Sequence, residues 1–263
     1  MPLICFASPK GGVGKSTLAA NVAYELSKAG WRVLALDLDP QNALRLHFGV
    51  SLHDAEGFMH TLPTQRNWRT AIVHTASGVN VLPYGTTDMK TALSVSHRLG
   101  DQPDLLGEPL ADMLAQPGVV VVIDTEPGPS VSLAAILPIV DLLVTILLVD
   151  SMSTALVPAI DSGRAYGVDW TKRRAAEGPR SQMFVLNQFD PRTRLGPVIA
   201  QGLSHHVGDR LLGLVHRDEH VAEAAAAQKF VVDYSPMAQA SFDIRRIAQG
   251  ISARLGAPIS ATH

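Results

Sequence analysis

Eight consecutive residues, Lys10-Gly11-Gly12-Val13-Gly14-Lys15-Ser16-Thr17, hold the types and order needed to bind phosphate. They follow an apolar run, Leu3–Ala7, and open a helical pattern. The glycines let backbone N–H groups turn inward around phosphate oxygens with no Cβ in the way. Lys15 brings positive charge to the β- and γ-phosphates, and the Ser16 hydroxyl can ligate magnesium. The N-terminus of the following helix adds its partial positive charge. Gly11, Gly12, Val13, Gly14, Lys15, Ser16 and Thr17 are therefore the expected phosphate contacts, with ATP/ADP and Mg2+ as the expected cofactors. Lys10 is additional: the general pattern asks there only for a glycine and four free positions.

Three further groups stand where apolar runs end. Asp37-Leu38-Asp39-Pro40-Gln41 places two carboxylates at i and i+2, on one face of a strand. There Asp37 and Asp39 can meet magnesium waters and an attacking water. Asp124-Thr125-Glu126-Pro127-Gly128-Pro129 closes a hydrophobic strand with an aspartate, the Walker B arrangement, so Asp124 is expected to receive magnesium through water. Gly128 can offer its N–H to a γ-phosphate and sense it. Asn187 closes Leu186-Asn187-Gln188-Phe189; its amide carries a donor and an acceptor, which matches an adenine edge. Glu126 is electrostatically awkward beside a triphosphate. It is expected to point away from the phosphates and to contact a neighbouring chain.

These groups need a frame. Short apolar runs recur at Leu3–Ala7, Val33–Leu36, Val79–Leu82, Val119–Ile123, Leu142–Val149, Met183–Leu186 and Leu211–Val215. Most lack polar alternation, which marks strands buried on both faces of a parallel sheet. Leu18, Val22 and Leu26 form one apolar helix face, with Lys28 in its last turn and Gly30 just past it. The repeated strand–helix–strand pattern predicts an α/β fold, a doubly wound, mostly parallel β-sheet with helices on both faces, as one domain over 1–263. Stretches 51–78 and 85–108 read as insertions at the sheet's rim, with a short helix near Leu105–Leu114.

Composition narrows the partners. The chain has 22 basic and 24 acidic residues, a net charge of −2, so nucleic acid is not an expected ligand. The single cysteine, Cys5, excludes a disulfide framework and points to a core residue in a cytosolic protein. No signal-peptide pattern opens the chain, and the longest apolar run, Leu142–Val149, is too short to cross a bilayer. His216 and His220, like His205 and His206, have no third ligand at a zinc spacing and read as structural or surface residues.

The two-lysine loop resembles the deviant Walker A family of MinD- and ParA-like ATPases. The resemblance implies that Lys10 reaches across a dimer interface to the other subunit's nucleotide. It also implies that Asp39 positions the hydrolytic water, with Asp37 in the magnesium shell, and that Asn187 reads the base. Arg217, in His216-Arg217-Asp218-Glu219, falls in the loop that flanks adenine. Glu126 departs from the family, which has a small residue or proline there. The segments Asp39–Phe48, Pro127–Ser130, Leu186–Phe189 and His216–Glu219 are similar to those of BcsQ/YhjQ proteins from bacterial cellulose-synthesis operons. That branch implies a slow ATPase switch, a homodimer with ATP at its interface, and cellulose synthase complex subunits at the inner membrane as partners. The protein would be cytoplasmic and recruited to the inner membrane through them.

Three rivals share the core. A ParA-type DNA-partition ATPase would draw on Lys172-Arg173-Arg174 and Arg245-Arg246. A MinD-type membrane-surface switch would use a C-terminal helix face of Ile244, Ile247, Ile251 and Leu255, although Gly256–His263 shows no amphipathic pattern. A metabolic ligase or iron–sulfur reductase is the third; one cysteine cannot bridge a cluster.

Overall fold

The computed structural model describes residues 2–54, 56–64, 67–171 and 178–256. The first half runs β1 (Leu3–Ala7), α1 (Lys15–Lys28), β2 (Arg32–Asp37), α2 (Phe58–Thr64), β3 (Val73–His74), β4 (Asn80–Leu82), α3 (Met89–Asp101), α4 (Asp104–Leu114) and β5 (Val119–Asp124). The second runs α5 (Val131–Ile136), β6 (Leu142–Leu148), α6 (Ser151–Asp161), β7 (Gln182–Phe189), α7 (Gly196–Val207), β8 (Leu211–His216), α8 (Glu219–Ala226), α9 (Val231–Tyr234) and α10 (Gln239–Leu255). The strands form one sheet in the order β3-β4-β2-β5-β1-β6-β7-β8. All neighbours pair in parallel except β3 and β4. The doubly wound sheet expected from the apolar runs is therefore present.

Both faces are covered, which is why the strands carry no polar alternation. Leu3, Cys5, Ala7, Val121 and Ile123 point to one face, beneath Leu110, Ile136, Ile160 and Leu203 of α4 to α7. Ile4, Phe6, Val120 and Val122 point to the other, beneath Leu18, Val22 and Leu26 of α1 and Ile244, Ile247 and Ile251 of α10. Parallel winding brings the C-terminal ends of β1, β2, β5, β6 and β7 to a common rim. The phosphate loop, Asp37, Asp124 and Asn187 all stand on it.

One expectation needs correction. Stretch 85–108 is mostly helical: Asp88 accepts the Thr91 N–H at 2.7 Å and starts α3. Val95 and Leu99 are the buried residues of α3, on an apolar face that begins at Ala92. Stretch 51–78 likewise contains α2 and β3, and the helix expected near Leu105–Leu114 is α4. The stripe that a membrane-surface rival would need packs on the sheet instead. Ile244, Ile247 and Ile251 are buried against α1 and β8, with Leu255 packed beside them. That face is core and is not free for a membrane. No helix among the described residues is long and apolar enough to cross one. Lys172-Arg173-Arg174 and residues 257–263 lie outside the described residues.

Candidate nucleotide site

The loop between β1 and α1 turns on Gly12 (φ 72°) and Gly14 (φ 86°), a left-handed geometry that suits glycine. A side chain on Gly14 would also bring its Cβ to 2.5 Å from Asn187 Nδ2. Lys15 opens α1 yet is 7% exposed, with its Nζ 2.6 Å from Asp124 Oδ1 and 3.8 Å from Asp39 Oδ2. An ammonium drawn between two carboxylates in a covered cleft is poised to exchange them for phosphate oxygens.

Asp124 ends β5 in register with Asp37 at the end of β2, and both are 0% exposed. Burial raises the proton affinity of Asp124, and Lys15 works against that rise. Burial, and next the neighbouring Asp124, push the Asp37 carboxyl well above the usual carboxylate range. Lys15 meets Asp124 but not Asp37, so the two adjacent carboxylates still disfavour each other's ionised form. The buried Asp124 Oδ2 accepts no hydrogen bond among the described residues. That orphaned acceptor, beside Ser16, suits the hydrated shell of a magnesium ion.

Asp37 has other work. Its Oδ1 accepts the Asp39 N–H at 2.9 Å and its Oδ2 the Leu44 N–H at 3.1 Å. It thereby shapes the turn that aims Asp39. Asp39 Oδ1 accepts the Gln41 N–H at 2.9 Å, while its Oδ2 faces Lys15.

The loop after Asp124 is tied to β1. The Thr125 hydroxyl donates to the Phe6 carbonyl at 2.9 Å, and the Gly128 N–H donates to the Ser8 carbonyl at 2.8 Å. The Gly128 N–H must leave Ser8 before it can meet a γ-phosphate. Glu126 is half-buried, and burial raises the proton affinity of its carboxyl.

Lys10 Nζ donates to Asp150 Oδ2 of its own chain at 2.9 Å. Asp150 also caps α6, its Oδ1 accepting the Ser153 N–H at 2.6 Å. The sequence reading passed over Asp150, although it closes the apolar run of β6 as Asp124 closes that of β5.

Beyond the loop lies a cavity of about 300 Å³ lined by Gly12, Gly14, Thr17, Asn187, His216 and Arg217, among others. Its size and place suit a purine. Asn187 Nδ2 donates to the Val13 carbonyl at 2.7 Å, so its amide is oriented by the phosphate loop itself. Arg217 is anchored through its backbone N–H to the Phe189 carbonyl at 2.8 Å. The cluster Lys10–Thr17, Asp39, Asp124, Gly128, Asn187 and Arg217 is thus assembled along one rim of the sheet. No group of three or more His, Cys, Asp or Glu among the described residues is arranged to hold a metal without a ligand's help.

The model of the family described as "Cellulose biosynthesis protein BcsQ" matches residues 1–166 and 170–251. The chain belongs to the BcsQ family. Curated relatives place that family among ParA-like ATPases. The chromosome-partitioning ATPase Soj of Thermus thermophilus is 28% identical over 256 residues, covering 96% of each chain. Cellulose biosynthesis protein BcsQ of Escherichia coli K12 is 31% identical over 104 residues, 38% of this chain and 42% of that one. The septum site-determining protein MinD of Pyrococcus horikoshii, solved with Mg-ADP, shares the fold with a TM-score of 0.78 at 21% identity, covering 98% of this chain and 99% of that chain. The chain thus stands among the ATPases of the MinD/ParA type.

Proposed function

We propose that this BcsQ-family protein is a dimeric, ATP-driven switch that regulates a bacterial cellulose synthase and secretion complex. The family match along nearly the whole chain carries the reading. Magnesium, when bound, neutralises charge that spreads over the β- and γ-oxygens. Lys15 leaves Asp124 for the phosphates, Asp39 orients the attacking water, and Asp124 and Ser16 hold the magnesium side. Lys10 leaves Asp150 for the phosphates of a second copy, placing positive charge where negative charge grows in the transition state. The surface favours such a second copy. Met89, Leu93, Met152, Leu195 and Val198 are 61–75% exposed. Met89, Leu93, Met152 and Val198 lie on helices, and Leu195 just before one, that follow the C-terminal ends of β4, β6 and β7. Exposed apolar side chains on such elements support an interaction surface there.

Dimerisation has its own test. Asp150→Asn keeps a cap on α6 but removes the charge that holds Lys10 in its own chain. A partly exposed ion pair is worth about 0.2–1 kcal/mol. ATP-dependent self-association, followed by sedimentation velocity, is therefore expected at a two- to fivefold lower protein concentration than for the unaltered chain. An unchanged midpoint would show that the cis pair does not oppose assembly.

The switch itself is tested by partner capture from cells of the source organism. Asp39→Ala should hold the ATP-bound form, and Lys15→Ala should be unable to reach it. Cellulose synthase subunits retained by the first bait alone support the proposal. The end-to-end likeness to Soj favours one alternative, a DNA-partition ATPase. ATP-dependent DNA binding with a steep salt dependence, with no synthase subunit retained, would transfer the assignment to it.

A further inference from the structure

The histidine at the end of β8 is held in a way that a surface residue does not need. The His216 backbone N–H and its Nδ1 both meet Asp243 Oδ2, at 2.9 and 2.8 Å. Gln239 Nε2 donates to the other oxygen, Oδ1, at 3.0 Å. Asp243 sits on α10 and is 6% exposed, whereas the His216 side chain is 32% exposed. The ring stands edge-to-face on Phe189, with centroids 5.1 Å apart. An ionised carboxylate only accepts, so it fixes the proton on Nδ1. When the ring carries a single proton, Nε2 is an acceptor, and His216 lines the purine-sized cavity.

Asn187 is constrained toward the same outcome. One N–H of its amide is taken by the Val13 carbonyl, which holds the amide in one orientation with Oδ1 as its acceptor. Two side chains on neighbouring strands β7 and β8 thus bring acceptors to one cavity, each oriented by a donor bond on its other side. A 6-aminopurine offers N–H donors there. A 6-oxopurine offers a carbonyl oxygen, which two acceptors repel. We propose that His216, oriented by Asp243, is a specificity-determining residue that makes this site select 6-aminopurine over 6-oxopurine nucleotides. The proposal rests on the nucleotide reading of the cavity and names the part of it that reads the base. It also revises the reading of His216 as merely structural or superficial.

The test compares ADP with IDP, which differ at the purine 6-position, by calorimetric titration of the full-length protein with magnesium. The unaltered protein is expected to bind ADP at least about 30-fold more tightly than IDP, since a site built around a substrate N–H rejects the analogue lacking it. His216→Phe keeps a ring against Phe189 and removes the acceptor. It should lower the ADP-to-IDP ratio about tenfold, by weakening ADP and sparing IDP. Asp243→Asn, which frees the tautomer, should move the ratio the same way by less. A ratio unchanged in His216→Phe with ADP binding retained overturns the proposal and leaves the nucleotide site standing. Failure of the unaltered protein to bind either nucleotide overturns both. NMR of ¹⁵N-histidine-labelled, unaltered protein supplies a readout independent of any variant. The Nδ1–H tautomer and an Nε2 resonance that moves with ADP but not IDP are expected; an Nε2–H tautomer overturns the assignment.

Discussion

Lys15→Ala is expected to remove measurable ATP turnover, a loss of at least about 10³-fold, because one preorganised charge aimed at the transferring phosphoryl group is worth that much. It should also weaken the fold in a pH-dependent way. Lys15 is the cation between Asp124 and Asp39, and Asp37 lies alongside Asp124. Removing one partner of a buried pair costs about 3–5 kcal/mol, less whatever the stranded carboxylate recovers by taking up a proton. In the folded chain Asp37 and Asp124 both bind protons more tightly than in the unfolded chain, where aspartate ionises near pH 4. From there up to their folded values the native state holds more protons, so stability falls as pH rises. Without Lys15 the slope steepens. Urea unfolding of the nucleotide-free protein should show Lys15→Ala about 2–3 kcal/mol less stable at pH 8 and closer to the unaltered chain at pH 5.5. A difference that stayed constant with pH would separate the lysine from the carboxylate pair.

Asp39→Ala should act in the opposite sense on binding. Hydrolysis is expected to fall by about 10²–10⁴-fold, the range for a positioned group acting on the attacking water. Nucleotide affinity should hold within a few-fold or tighten, since Asp39 Oδ2 competes with phosphate for Lys15 from 3.8 Å. Losing the Asp39–Gln41 bond loosens the turn by about 1 kcal/mol, too little to unfold the chain. Single-turnover hydrolysis, measured beside equilibrium binding of a fluorescent ATP analogue, separates the two effects. Equal losses in both would make Asp39 a binding residue and would deny it a role in orienting water.

The phosphate loop, Asp39 and Asp124 were legible in the sequence for the same reason that they are close in space. Each is carried on the loop or end of a continuous apolar strand, and parallel winding collects those ends at one rim. What the sequence concealed depends on contacts between distant residues. Nothing near Lys10 announces its bond to Asp150, 140 positions away. Nothing near His216 announces Asp243, because the pairing exists only once α10 lies on β8. The amphipathic pattern of Ile244, Ile247 and Ile251 was visible, but a pattern reports an apolar face and not what covers it. Helix α3 carried legible signals, the Asp88 cap and an apolar face of Ala92, Val95 and Leu99, but the Thr, Ser and Gly around it drew the stretch into a loop reading. The Asp37 pair with backbone N–H groups was hidden too. Spacing placed it beside Asp39 but not which hydrogen bonds would claim its oxygens.

The sheet's flanks bear on how copies of this chain can grow together. One flank is β3, two residues long and antiparallel to the rest. The other, β8, pairs with β7 through two register shifts. Neither offers another polypeptide a long straight row of amides to zip onto, and such blunted flanks protect a parallel sheet from lateral polymerisation. The nucleotide-dependent dimer that we propose at the rim would then face no competing contact along the sheet's flanks. A mutation that straightened or lengthened either flank would threaten this protein with irreversible fibres even if every residue around the phosphates were intact.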